Sequence, residues 1–205
     1  MKLFFIRHGE SEANVLHEFS TRGMRHPLTE LGRQQAAAAA EQLRDQQVIG
    51  IFSSPLLRAY ETARIIGETL QVGVAIADGL REVDVGVLEG KSDDESWAVF
   101  ARLWDAWFVE NRPEVKIDGG ESLTDIRARV IPFFNGLAEM AGRVNGNLVV
   151  VSHGGIYRSV LPDMVKNMDH EFVEDHPIQN TEIITLRWQP GGWWCESPKR
   201  ENMGN

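Results

Sequence analysis

Leu148-Val149-Val150-Val151-Ser152-His153-Gly154-Gly155 is the stretch that decides how this 205-residue chain folds. Four apolar residues in a row, without polar alternation, suit a strand covered on both faces. The run then stops at a serine, a histidine and two glycines, and another helix follows. Leu3 to Ile6 has the same character and leads into Arg7-His8-Gly9. Val48 to Phe52 reads as a third strand. It leaves through Ser53-Ser54-Pro55, with the proline expected at the first helical position. The helix behind it places Leu56, Ala59, Ala63, Ile66 and Leu70 on one stripe. Val72 to Ile76 is a weaker strand.

Thr29 is placed to cap a helix running to about Arg44. Ser122-Leu123-Thr124-Asp125 has the form of a capping box, opening a helix with Leu123, Ile126, Val130, Phe133 and Leu137 facing inward. Glu182 to Trp188 alternates, and either pairs with Trp193 to Glu196 or extends the sheet. Strands alternating with helices predict an α/β fold: a three-layer α/β/α sandwich whose mainly parallel sheet carries helices on both faces. A single domain is expected over residues 1–197. Within it, 83–120 has no convincing strand and reads as a lid-like insertion. Residues 198–205 form a polar tail.

Composition narrows the function classes. Apolar residues make up 42% of the chain and charged residues 25%, which is ordinary for a globular protein and excludes disorder. The formal net charge of −9 argues against nucleic acid or an anionic membrane as partner, since both reward a basic surface. An anionic small molecule stays open, because a few arginines make one pocket positive inside an acidic shell. Cys195 is the only cysteine, which leaves no intramolecular disulfide and no cysteine zinc site. Met1 to Arg7 holds too few apolar residues for a secretory signal, and no stretch reaches the roughly 20 that cross a bilayer. A cytoplasmic location is the expectation. Oligomeric state is not legible.

In sheets of this kind, ligands bind at the carboxyl ends of the strands. Strand one exits into Arg7-His8-Gly9, the Val48 strand leads to a helix with Arg58 in its first turn, and the Leu148 strand exits into His153-Gly154-Gly155. Two arginines, two histidines and a helix N-terminus then face one crevice, and guanidinium forks and helix N-termini both favour phosphate. Each signal has a plainer reading when taken alone. A histidine can be a satisfied core residue, Arg58 a solvated helix-face charge, and Glu82 a surface carboxylate near a turn. Their convergence at three strand ends is what favours an anion site built around histidine.

Arg7-His8-Gly9-Glu10-Ser11, Ser53-Pro55-Leu57-Arg58-Ala59-Thr62-Ala63, Arg81-Glu82, Gly119-Gly120-Glu121-Ser122 and Ser152-His153-Gly154-Gly155, in that order over residues 1–190, resemble the histidine phosphatase superfamily, in its phosphoglycerate-mutase-like branch. The resemblance implies that His8 is the nucleophile, forming a phosphohistidine. It implies that Arg7, Arg58 and His153 bind the transferring phosphoryl group and that Glu82 is the proton donor. It also places Asn14, Ser20, Thr21 and Gly154 near the phosphate. The activity implied is a metal-independent, acid-type histidine phosphatase that needs no cofactor and acts on a small phosphorylated metabolite. Because arginine stays charged at any relevant pH, it can compensate the phosphoryl oxygens without a metal.

Three alternatives stand beside this reading. Family mutases carry a longer insertion after the acid, with an arginine-bearing continuation. Here Arg81-Glu82 runs on as Val83-Asp84-Val85-Gly86 with only a short interval to Gly119, which favours phosphatase over phosphoglycerate mutase. A non-catalytic phospho-ligand-binding module is the second alternative, and it would have no need of Glu82. A metal cluster of His8, Glu10, Asp84 and His153 is the third, and it lacks the helical spacing that would recommend it. Trp97, Phe100, Trp104, Trp107 and Phe108 form an aromatic stripe expected mainly to pack its helix on the body, with one or two members free to meet a substrate. Arg22 and Arg25 are expected to be solvated rather than to reach a second anion.

Overall fold

The computed structural model describes residues 1–198, so residues 199–205 of the expected polar tail lie outside the described residues. Strands β1 (Lys2–Arg7), β2 (Val48–Ser53), β3 (Val74–Ile76), β4 (Asn147–Ser152), β5 (Ile183–Gln189) and β6 (Gly192–Ser197) form one sheet in the order β3-β2-β4-β1-β5-β6. The first four run parallel, while β5 is antiparallel to β1 and to β6. The 182–196 region therefore does both things its sequence allowed: it extends the sheet and closes a hairpin. Helices α1 (Glu12–Leu16), α2 (Glu30–Leu43), α3 (Leu57–Leu70), α4 (Asp94–Phe108), α5 (Leu123–Met140), α6 (Gly154–Met164) and α7 (His170–Asp175) complete the fold.

The two central strands show why the apolar runs lack alternation. Leu3, Phe5, Leu148 and Val150 point to one face, against Ile126, Val130 and Phe134 of α5 and Ile156 and Val160 of α6. Phe4, Ile6, Val149 and Val151 point to the other, against Ala40 and Leu43 of α2 and Ala59, Ala63 and Ile66 of α3. All eight strand residues are 4% exposed or less, so each contributes roughly 1.5–3 kcal/mol of burial. This is the three-layer sandwich read from the sequence. The caps hold as well: Thr29 Oγ1 accepts from Gly32 N at 3.0 Å, and Ser122 and Asp125 form a reciprocal capping box.

Four local details differ from the sequence reading. Helix α3 begins at Leu57 with Leu56 as its cap, so Pro55 lies in the preceding turn and not at the first helical position. The inward residue on α5 is Phe134, which is fully buried. Phe133 is only partly buried, with its ring edge-on to Phe52 at 5.5 Å, because a step of four from Val130 keeps the stripe over the sheet. Strand β3 spans just Val74–Ile76, and the short helices α1 and α7 were not anticipated. None of the described helices is long and apolar enough to cross a membrane.

Register aligns the three strand exits. Arg7 pairs with Ser152, and Val151 pairs with Ser53. Pairing continues one residue beyond the strands, with His8 N donating to Ser152 O and Ser54 N donating to Val151 O, both at 3.0 Å. The sheet thereby holds His8, Ser54 and His153 side by side.

Candidate active site

His8 sits in a loop braced on three sides. Its carbonyl accepts from Asn180 Nδ2 at 2.9 Å, and Gly9 N donates to Thr62 Oγ1 at 3.0 Å. The Thr62 hydroxyl in turn donates to Arg58 O at 2.7 Å, which ties the histidine loop to the first turn of α3. Behind the loop, the start of α2 approaches so closely that only glycine fits on either side. A Cβ on Gly9 would lie 2.5 Å from Gly32 O, and one on Gly32 would lie 2.0 Å from Glu10 O.

The imidazole of His8 is 3% exposed and oriented at both nitrogens. Nδ1 lies 2.7 Å from Gly9 O, a group that can only accept, so Nδ1 carries the proton. Nε2 therefore holds the lone pair, and it accepts from Arg58 Nε at 2.9 Å. The ring of His153 lies 5.1 Å from that of His8, fully buried. Its Nε2 pairs with Ser54 Oγ at 2.8 Å, and its Nδ1 is 3.4 Å from Arg58 Nη2. Arg58 thus spans both histidines.

Arg7 donates through Nη1 to Ile178 O at 2.8 Å. Its Nε is buried with no hydrogen-bond partner among the described residues. Glu82 is held by two backbone amides: Val83 N on Oε1 at 2.9 Å and Gly155 N on Oε2 at 3.1 Å. The second tie depends on glycine, since a Cβ on Gly155 would come within 2.3 Å of Glu82 Oε1.

A cavity of about 370 Å³ opens on these groups, and Arg7, His8, Asn14, Ser20, Thr21, Arg58, Glu82 and Gly154 all line it. Gly154 is the first residue of α6, so that helix N-terminus faces the cavity. His153 does not line it and stays beneath the other side chains.

A profile of the histidine phosphatase superfamily (branch 1) matches residues 3–200. The chain belongs to this superfamily. It is 36% identical over 155 residues to phosphoserine phosphatase 1 of Hydrogenobacter thermophilus, covering 75% of this chain and 71% of that one. It is 27% identical over 201 residues to a protein of Yersinia pestis named probable phosphoglycerate mutase GpmB, covering 96% and 92%. Among solved structures, a mycobacterial glucosyl-3-phosphoglycerate phosphatase in complex with VO3 superposes with a TM-score of 0.78 at 28% identity, over 95% of this chain and 96% of that one.

Asn14, Ser20 and Thr21, expected near the phosphate, reach the cavity with differing freedom. Asn14 Oδ1 is occupied by the amide and hydroxyl of Ser11, both at 3.0 Å, which leaves its Nδ2 to donate. Ser20 Oγ pairs with His26 Nδ1 at 2.8 Å. Thr21 places both its amide and its hydroxyl on Glu89 Oε2 at 2.8 Å, so its donors are already taken. Of the four residues of the metal alternative, His8 and His153 lie together while Glu10 and Asp84 are bonded elsewhere. Glu10 accepts from Thr29 Oγ1, Asp84 accepts from Arg22, and no group of three or more His, Cys, Asp or Glu among the described residues is disposed to hold a metal. Arg22 is exposed and paired to Asp84, and Arg25 pairs with Glu18 and Glu89.

Sequence reasoning missed several residues that build the site. Ser54 orients His153, and it could have been found as the first residue past β2. Ile178, Phe19 and Arg158 carry no motif and reach the cavity only through tertiary packing.

Burial and neighbouring charge favour the neutral form of both histidines. His8 is held well below the ordinary histidine value of 6.5, first by burial and then by Arg58 and Arg7, against the opposing bond to Gly9 O. His153 is lowered likewise by burial, then by Arg58, then by His8, Arg129 and Arg7. Burial pulls Arg58 down to about 10, still positive at neutral pH, with Glu82 and Glu89 acting to raise it.

Both histidines are therefore neutral when folded, whereas an unfolded chain protonates them as pH falls through 6.5. The unfolded state then binds more protons. Stability is full above 6.5 and is lost as pH drops toward the depressed folded values, with a slope approaching ~1.4 kcal/mol per pH unit per histidine. Urea unfolding at several pH values between 7 and the acid limit should show a shallower loss in His153→Asn than in the wild type. Equal slopes would mean that His153 is not held neutral.

Proposed function

We propose that this chain hydrolyses phosphomonoesters through a phosphohistidine on His8, as an acid-type histidine phosphatase acting on a small phosphorylated metabolite. The observation that carries the reading is the tautomer of His8: with Nδ1–H fixed on Gly9 O, a lone pair on Nε2 is held among two arginines. A neutral imidazole so oriented is a competent nucleophile, while the flanking guanidinium groups stay charged.

In the free site Arg58 Nε caps that lone pair. An incoming phosphoryl group takes over the Arg58 donors and the unpartnered Nε of Arg7, and this exposes His8 Nε2 to phosphorus. The guanidinium groups and the α6 N-terminus then balance the phosphoryl oxygens. With Arg58 turned onto the phosphoryl group, His153 Nδ1 is free to donate to it as imidazolium, the dianion offsetting the effect of burial. Glu82 protonates the departing alkoxide, then takes a proton from the water that attacks phospho-His8, restoring both groups.

Residues 83–120 serve as a cover over this site in a single domain spanning 1–197. Because this cover is short, water has access to the phosphoenzyme, which favours hydrolysis over mutase transfer. A cytoplasmic setting belongs to the same reading, with Cys195 as a buried free thiol.

Glu82→Gln tests the acid directly. It should slow alkyl phosphates by roughly 10²–10⁴-fold and p-nitrophenyl phosphate far less, because nitrophenolate leaves without a proton. Equal slowing of both would reassign the acid. Gly155→Ala should act in the same direction more weakly, because its Cβ displaces the Glu82 carboxylate; unchanged alkyl phosphate turnover would show that the amide tie is dispensable. Incubation with 3-phosphoglycerate and a bisphosphoglycerate primer separates the family activities: phosphate release supports this reading, and 2-phosphoglycerate formation would make the chain a mutase.

A further inference from the structure

Beyond the phosphoryl-binding groups, the cavity is walled by aromatic rings. Phe19 lies tilted against Trp97 with centroids 4.0 Å apart, Phe100 meets Phe19 at 5.2 Å, and Trp104 meets Phe100 at 5.7 Å. All four line the cavity. Phe19 and Trp104 are buried, as packing alone would require, but Trp97 is 38% exposed. Its indole is fixed all the same, since Nε1–H donates to His17 O at 3.0 Å. An exposed indole anchored at a cavity rim is a rigid π surface whose ordering entropy is already spent.

The charged groups in the same lining point the same way. Arg158 is clamped on Glu174, with Nη2 2.7 Å from Oε2, and its guanidinium lies 4.5 Å from the centroid of Trp104. Glu18 is the other charged side chain of this part of the lining. With these side chains already in ion pairs, no cation of this part of the lining, among the described residues, is spare for a second anionic group on the substrate. Glu18 is itself paired with Arg25, so a phosphorylated acid would bring its carboxylate to a wall whose charges are already satisfied, lose water there without gaining a cation, and be disfavoured.

We propose that the alcohol released by this enzyme has a flat, aromatic body seated against Phe19, Trp97 and Phe100, and carries no carboxylate. The inference rests on the hydrolase reading and goes further by naming the substrate class.

The test compares 2-phenylethyl phosphate with ethyl phosphate, whose alcohols are of similar acidity and so need the same help in leaving, and with 3-phosphoglycerate. The phenyl ester should show kcat/KM about tenfold or more above ethyl phosphate, and 3-phosphoglycerate should not exceed ethyl phosphate. Trp97→Ala should lower the phenyl-to-ethyl ratio severalfold, and Trp97→Phe should keep most of it. Turnover of both alkyl esters with a ratio near one, a ratio untouched in Trp97→Ala, or 3-phosphoglycerate as the best of the three would overturn the substrate class and leave the hydrolase reading intact. No turnover of any ester would overturn both.

Discussion

Arg58→Ala should lower kcat/KM for phosphomonoesters by about 10³-fold or more, the scale on which an arginine stabilises a transferring phosphoryl group. The side chain is 5% exposed and donates to His8 Nε2 and toward His153 Nδ1. Its charge-assisted bonds are worth about 1.5–3 kcal/mol each once they pass to the phosphoryl oxygens. The variant also removes one of the positive charges that hold both imidazoles neutral, second only to burial in each case. Their pKa values should therefore rise, and the acid limb of the kcat/KM profile should move to higher pH. A merely structural arginine would give a loss of stability without that displacement. Wild-type kinetics with an unmoved acid limb would remove Arg58 from the site.

His8→Ala should lose more, on the order of 10⁴-fold or greater in kcat, because the neighbouring imidazole of His153 does not line the cavity and is not placed to substitute for it. Phosphate binding should survive. Arg58, relieved of its bond to Nε2, keeps all its donors for an anion, and neither Arg7 nor the α6 N-terminus depends on the imidazole. Titration with orthophosphate or vanadate should give a Kd within several-fold of the wild type while turnover disappears. Loss of binding together with turnover would instead point to collapse of the loop braced by Thr62 and Asn180. Retained turnover would place the nucleophile elsewhere.

The layers and the site were legible in the sequence for different reasons. Strands β1 and β4 announced themselves because both faces are covered, so eight apolar residues fall into two uninterrupted runs. The arginine and histidine pairs were legible because each stands at the last residue of a strand, immediately past one, or in the first turn of a helix, positions the sheet register fixes. The drift from Phe133 to Phe134 was not, since helical periodicity alone cannot distinguish two adjacent aromatics at the edge of a stripe. Nor could the sequence show that His153 lies beneath Arg58 rather than in the cavity wall, or that the donors of Thr21 are taken by Glu89. Those outcomes depend on contacts between segments some 70 to 100 residues apart, including the 68 that separate Thr21 from Glu89. The aromatic stripe divided as its spacing allowed. Trp107 turns inward against the core, while Trp97 stays at the rim.

The account stands on covalent transfer to one imidazole, and trapping the phosphoenzyme tests it most directly. The enzyme is mixed briefly with a phosphomonoester labelled in its phosphoryl group, denatured in alkali, and digested for peptide mapping. The account predicts a base-stable, acid-labile label on the peptide containing His8, formed at least as fast as turnover and missing from His8→Ala. Turnover without that label, or a label that withstands acid, would contradict it.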